Sequence, residues 1–262
     1  MNSQVRKVDI TRSGGESVSD AVAVEDPLEI RIGEFPLAVT MRTPGDDEDL
    51  VTGFLLTEGV ILEPGEVTSI EHLDDSRVVV TLREGIELDM DQFKRNMFVS
   101  SSCGVCGKAS IEQVEIMARP AKPFKVDQTV VSALTGRLRI AQPTFDETGG
   151  LHAAGVYDLT GEPLAVREDV GRHNAVDKAI GASARTQWPL PPSLLVVSGR
   201  QSFEIVQKAA LAGIGGVVGV SAPSSLAVDL AEKLGMLLVG FARDGDFNVY
   251  AGGQAVRRAV GD

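Results

Sequence analysis

Cysteine is scarce in this chain. There are only two, Cys103 and Cys106, which excludes a disulfide-stapled scaffold in 262 residues. Aromatic residues are only 5% of the total, so the core must be built from Val, Leu, Ile and Ala. Such a core suits buried parallel strands under helices better than an aromatic-rich sandwich. Positive charge is also short. Twenty-five Lys and Arg face 37 Asp and Glu, a net charge of −12. That balance argues against duplex nucleic acid or an anionic membrane as a partner, because both need a broad basic face. An anionic ligand must find a local basic pocket instead. No apolar run reaches the roughly 18 to 20 residues that cross a bilayer. The opening stretch MNSQVRKVDITRSGGESVSD has charges but no apolar core of a secretory signal. The cytoplasm is the expected compartment, and in a reducing compartment a CxxC pair is usually catalytic or metal-binding.

Against these absences stand 43% hydrophobic residues, 24% charged residues and 28 glycines, the mix of an ordinary globular protein of one large or two small domains. Residues 1–20 are polar and read as a disordered leader. Residues 21–123 read as a small N-terminal α+β domain. Its strands are LEIRI (28–32), PLAVTMR (36–42), VTSIEHL (67–73) and SRVVVTL (76–82). Between them Asp46 caps a helix through DDEDLVTGFLLTEGV, with Asp46–Asp49 expected as its solvated acidic first turn. A CxxC loop spans about residues 98–108, and an amphipathic helix follows from about Lys108 to Pro120. A boundary is placed near residue 123. Residues 124–262 alternate strand and helix patterns: HAAGVYDL and LAVRED pair as strands, and LLVVSG, GVVGVS and MLLVGFA are short buried strands. DFNVYAG adds an edge. Helices fall in GRHNAVDKAIGASA, FEIVQKAALAG and SSLAVDLAEKLG, the last with a Ser cap and a Gly stop. The expected class is α/β with a layered, partly parallel sheet.

Five constellations carry chemistry. In Cys103-Gly104-Val105-Cys106 the glycines leave both sulfurs open, and Cys106 precedes a helix start with Lys108 close by, a setting that favours thiolate. Dithiol redox, half of a metal site and a persulfide carrier all fit. Redox expects a strand before the pair, but three serines stand there. Tetrahedral zinc needs two more ligands, and His72, His152 and His173 form no closely spaced pair. The segment fits a carrier most closely. His152 opens LHAAG, but the zinc deaminases carry H-x-E, and Ala154 occupies the Glu position here. Arg167–Lys178 (REDVGRHNAVDK) packs polar residues between a strand and a helix, where α/β proteins bind phosphates. The turns SGRQS (198–202) and SAPSS (221–225) repeat that logic, and FARDGD (241–246) follows the last strand. Charge and turn placement make Arg172, Arg200, Lys208 and Arg243 candidates for phosphate contact.

The segments SSCGVCGKASIE, GGLHAAGVYD, REDVGRHNAVDKAIG, LLVVSGRQSFEIVQKAA, VSAPSSLAVDLAEKLG and LVGFARDGDFNVYAGG, with EDPLEIRI and PLAVTMRTPGDDEDLVTGFLLTEG upstream, resemble the formate dehydrogenase accessory sulfurtransferase family over residues 20–253. The resemblance implies a C-terminal three-layer cytidine-deaminase-like domain that does not deaminate. It implies that Cys103 takes persulfide sulfur from a cysteine desulfurase, with Cys106 assisting. The sulfur then passes to the molybdenum of a bis-molybdopterin guanine dinucleotide cofactor before that cofactor enters formate dehydrogenase. It implies that Phe241, Ala242, Arg243, Asp244, Gly245 and Asp246 contact the cofactor; Arg172, His173, Arg200 and Lys208 are expected to join them on charge and turn placement. It further implies that a guanine nucleotide such as GDP can occupy the site, that the protein is a homodimer and that no metal is resident. A non-catalytic cofactor-binding chaperone is the alternative.

Overall fold

The computed structural model describes residues 4–86, 118 and 123–258. Cys103, Cys106, the expected CxxC loop and the helix after it lie outside the described residues. So does Pro120, and the expected boundary near residue 123 falls at the edge of that stretch.

The first correction is at the start. Strands β1 (Val5–Thr11) and β2 (Ser17–Ala23) form an antiparallel hairpin where a disordered leader was expected. Ser13, Gly14 and Gly15 are its turn, closed by the Gly15 amide donating to the Arg12 carbonyl. The polar composition that reads as disorder is that of a two-stranded ribbon with most side chains in solvent.

Strands β3 (Asp26–Ile32), β4 (Phe35–Arg42), β5 (Val67–Asp74) and β6 (Arg77–Leu82) match the sequence reading and form one sheet in the order β4-β3-β6-β5. Helix α1 (Asp47–Thr57) packs Leu50, Val51, Leu55 and Leu56 onto Leu28, Ile30, Val78 and Val80 of that sheet. Asp46 precedes the helix as expected, but it adopts a left-handed backbone (φ 54) and its side chain caps nothing. The acidic first turn is solvated only in part: Asp46 and Glu48 are exposed, as expected, but Asp47 and Asp49 are not. Arg42, itself buried, grips both oxygens of Asp47, and Asp49 is buried between Arg167 and Arg185.

The second unit starts with β7 (Val126–Asp127), α2 (Gln128–Ile140) and α3 (Pro143–Thr148). Then come β8 (His152–Asp158), β9 (Pro163–Asp169), α4 (Arg172–Thr186), β10 (Ser193–Val197), α5 (Phe203–Leu211) and β11 (Gly216–Gly219). It ends with α6 (Ser225–Leu234), β12 (Leu237–Arg243), β13 (Asp246–Ala251) and β14 (Val256–Arg257), which pairs with β7. The main sheet has six strands in the order β13-β12-β11-β10-β8-β9, and β10, β11 and β12 run parallel. Both faces are covered. Leu195 and Val197 face α4 and α5, whereas their neighbours Leu194 and Val196 face α2. This explains strands that read as continuous apolar runs. α6 begins at a Ser224 cap and ends at Gly235 in a left-handed turn, as expected.

The two units meet where α1 crosses α4 without intervening side chains. A Cβ on Gly53 would lie 1.8 Å from the Asp177 carbonyl oxygen, and one on Gly181 would lie 1.9 Å from that of Asp49. Around the crossing runs a buried polar lattice. Lys178 pairs with Asp169 at 2.8 Å, both fully buried, and also donates to the Thr43 carbonyl. Asn174 donates to the Met41 carbonyl and accepts from the Thr40 hydroxyl. Lys208 donates to Glu58 at 2.7 Å, to Asp177 at 3.0 Å and to the Thr57 hydroxyl at 3.0 Å. Burial raises the Asp177 carboxyl to about 6, and Glu58 adds to the rise against the pull of Lys208. For Lys208, burial acts downward, but the charges of Asp177 and Glu58 prevail and raise it. His173, on the first turn of α4, is pushed down to about 4 by burial and then by the charges of Lys208 and Arg172.

Two predictions follow from this junction. Gly181→Ala should lower folding stability by about 3 kcal/mol, because the new methyl meets backbone that cannot step aside; a urea titration reads it. In the unfolded chain His173 takes a proton below about pH 6.5, whereas in the folded chain it stays neutral to about 4. Its contribution is therefore present at neutral pH and lost as pH falls through that window. Asp177, raised on folding, acts in the opposite sense. The test is the difference between proteins: the fall in urea midpoint from about pH 7 to about pH 5 should be smaller in His173→Gln than in the parent.

Candidate functional site

In a sheet with parallel strands, the turns at the strands' carboxyl ends are placed side by side. Here the turns after β10, β11 and β12 are also bonded into one unit. The Gln201 amide donates to the Ala222 carbonyl at 3.3 Å, the Ser224 amide donates to the Gln201 carbonyl at 2.9 Å, and the Phe241 amide donates to the Ser221 carbonyl at 3.1 Å.

β12 does not end smoothly. Its register against β13 slips between Gly240 and Arg243, and Phe241 and Asp244 take left-handed backbones, with φ of 52 and 55. An aromatic residue at positive φ, 38% exposed, is a strained feature of the kind that gathers at binding sites.

A cleft of about 660 Å³ opens between these turns, α2 and α3. Ala242, Arg243 and Asp244 line one side, Thr135, Arg139 and Gln142 another, and His152 and Ser198 the floor. Its size suits a nucleotide-sized ligand. Phe241 and Asp246 line a second cavity of about 490 Å³ that shares Arg243 and Asp244 with the first. Gly245 and Asp246 border a third of about 880 Å³, which extends along β13 to Arg258. Segment 241–246 is thus a wall with space on several sides.

His152 faces the turn after β10, and a Cβ on Gly199 would lie 3.4 Å from its Nδ1. The Ser198 hydroxyl accepts from the Ala153 amide at 2.9 Å and so ties β8 to that turn. Burial lowers the His152 pKa, and the charge of Arg172 adds to the fall against Asp169. His152 is therefore neutral at physiological pH. It can offer one N–H and one lone pair to a ligand. Ala154, at the position of the deaminase Glu, is fully buried in the apolar core.

The other expected site residues divide. Arg243 and Arg200 are exposed and Arg172 is half-exposed at the head of α4, and none pairs with a carboxylate of a described residue. Lys208 is a correction: it is buried and committed to Asp177, Glu58 and Thr57, so no phosphate can reach it. His173 is largely enclosed beside it, its Nε2 buried without a partner among the described residues. Most of REDVGRHNAVDK is junction rather than ligand loop, since Asp169, Asn174, Asp177 and Lys178 all serve the contact between the two units.

Sequence reasoning missed the second side of the cleft. Thr135, Arg139 and Gln142 lie on or just after α2, a stretch not read as a helix. Its apolar spacing Val131, Leu134, Leu138 was the available signal. Arg139 lies 5.0 Å over the Phe145 ring and pairs with Asp146 at 2.5 Å.

Comparison with known proteins covers nearly the whole chain. Residues 23–257 match the family model of the FdhD/NarQ family. The Sulfur carrier protein FdhD of Streptomyces coelicolor is 48% identical over 98% of this chain and 97% of its own length. That of Nocardia farcinica is 46% identical over 96% and 94%, and that of Mycobacterium tuberculosis 46% over 88% and 90%. A Desulfotalea psychrophila protein assigned as a formate dehydrogenase accessory protein has a crystal structure that superposes with a TM-score of 0.76 at 25% identity, over 97% of this chain and 98% of that one. A paired-unit fold, a strained segment walling its cleft and likeness along almost the full length agree, and the chain belongs to the FdhD/NarQ family.

Proposed function

We propose that this chain is a sulfur carrier serving formate dehydrogenase. Cys103 receives persulfide sulfur from a cysteine desulfurase, and that sulfur is delivered to the molybdenum of a bis-molybdopterin guanine dinucleotide before the cofactor is inserted. The observation that carries the reading is the 48% identity, over 98% of the chain, to a protein named as a sulfur carrier.

The chemistry is sulfur exchange. The Cys103 thiolate attacks the terminal sulfur of the donor persulfide; one S–S bond forms as another breaks, and the desulfurase thiolate leaves. For delivery, the Cys106 thiolate attacks the inner sulfur of the Cys103 persulfide; the Cys103–Cys106 bond forms as the persulfide bond breaks, and the sulfide that leaves is taken by molybdenum, the substrate, as a soft ligand. Cys106, three residues on, assists at Cys103. The cofactor is anionic and the chain carries −12, so binding depends on local cations. Arg172, Arg200 and Arg243 fit that role, with Phe241–Asp246 against the nucleotide and the cleft of about 660 Å³ admitting a GDP-like group. The strand order β9-β8-β10-β11-β12, with helices on both faces, supports a cytidine-deaminase-like layering of this unit. The reading includes a cytoplasmic homodimer.

Two tests decide it. After incubation with a desulfurase and cysteine, mass spectrometry should find one added sulfur at Cys103, removable by reductant and so distinct from oxidation to sulfinic acid. In cells lacking their own gene, Cys103→Ala should abolish formate dehydrogenase activity; retained activity with no added sulfur would instead mean a chaperone that only carries the cofactor. Arg172→Ala and Arg243→Ala should each weaken GDP binding about tenfold, the scale of one charge-assisted contact, read by calorimetry.

A further inference from the structure

Gln201 lines none of the three cavities described, yet it bonds to the turn after β11 and to β12, both of which reach the cleft. It is fully buried. Its side-chain amide donates to the Val239 carbonyl at 3.2 Å and the Ser221 carbonyl at 3.4 Å. Val239 and Phe241 flank Gly240, and the Ser221 carbonyl also accepts from the Phe241 amide. One amide thus pins both sides of the point where β12 leaves its register.

The surroundings leave room for that amide, although its Oε1 is buried without a partner among the described residues. A Cβ on Gly219 would lie 1.6 Å from Gln201 Nε2, so β11 has a bare backbone where the side chain lies. A Cβ on Gly240 would lie 2.9 Å from Pro223 Cδ and 3.0 Å from the Ser221 oxygen, so the turns approach as closely as glycine permits. An apolar side chain could fill the same space. It would leave the buried Val239 carbonyl and the part-buried Ser221 carbonyl without this donor, which is costly at the buried end. A positive φ at an exposed phenylalanine persists only where its surroundings over-determine it.

We propose that Gln201 is the positioning residue that holds Phe241–Asp246 in its ligand-facing conformation. This rests on the proposal that the segment contacts the guanine nucleotide part of the cofactor. Gln201 touches no ligand itself. It acts through the Ser221 and Val239 carbonyls on the backbone of Phe241.

The experiment uses the full chain, GDP as probe, and two variants. Gln201→Met keeps the volume and removes both bonds. Gly219→Ala keeps the amide but displaces it, and the three atoms nearest its methyl all belong to the Gln201 side chain rather than to backbone. Both should weaken GDP binding about tenfold, the scale of a lost buried contact, and speed amide hydrogen exchange at Phe241–Asp246 while the rest of the sheet stays protected. Sulfur loading at Cys103 should proceed as in the parent, splitting the donor step from ligand binding. Parent-like GDP affinity with parent-like exchange overturns the proposal. So does exchange that rises evenly across the sheet, the mark of a merely structural residue. If the parent itself binds no GDP, the nucleotide reading fails, and the exchange measurement still decides whether Gln201 clamps the segment.

Discussion

The crossing of α1 over α4 fixes the rest of the molecule. Gly53 and Gly181 let the two backbones touch, and at that spacing no side chain can mediate the contact. Much of the charge beside the crossing is sealed from water, with Arg185 and Glu48 paired at its exposed rim. Asp49, Asp169, Asp177, Lys178 and Lys208 are all buried there, and each is paired. Such a lattice adds little stability compared with an apolar contact of equal area, but breaking one member strands its partner. Its effect is specificity: the four-stranded sheet and the six-stranded sheet dock in one orientation. The same docking decides which cations remain for a ligand. Lys178 and Lys208 are consumed by the junction, and Arg172, at the head of the same helix, is left free of carboxylate partners among the described residues.

The cleft inherits its shape from that arrangement and from the parallel strands. β10, β11 and β12 end side by side, and each end becomes a turn bonded to the next. The strain at Phe241 and Asp244 sits on the outermost of the three, where β13 provides only an interrupted ladder. Rigid neighbours maintain that strain. The buried amide of Gln201 supplies donors that the slipped register of β12 against β13 does not provide.

How much was legible follows from what each residue type encodes locally. The strands of both sheets, α1, α4, α5 and α6 were readable because apolar period and glycine or serine boundaries are local signals. α2 was overlooked although Val131, Leu134 and Leu138 repeat at helical spacing, because Arg137 and Arg139 dilute its apolar face. The hairpin at Val5–Ala23 was misread because exposed strands look like polar coil. REDVGRHNAVDK was singled out for an anion, whereas Asp169, Asn174, Asp177 and Lys178 within it serve the junction and Arg172 is left for a ligand. A cluster of charges between a strand and a helix suits an anion and a second domain equally well in sequence. Only the packing of α1 against α4 separates the two. Lys208 failed for the same reason, since nothing in FEIVQKAALAG says that Glu58 and Asp177 lie against it.

The acidity of the chain gains a structural meaning from this division. With −12 overall, the protein repels anions across most of its surface. Much of its buried positive charge is neutralised by the inter-unit lattice, so it does not offset that repulsion near the cleft. What lines the cleft is the exposed Arg243, Arg139 with its Asp146 partner, and His152, whose pKa is lowered by burial and by the charge of Arg172. An anionic ligand held by so few cations gains most of its binding from their placement rather than from long-range attraction. Placement is set by backbone: the bulge that carries Arg243, the glycine that brings β12 against its neighbouring turn, and the helix start that holds Arg172 over His152. A shift of the segment by one residue's register would leave every charge in the sequence unchanged and still remove the site.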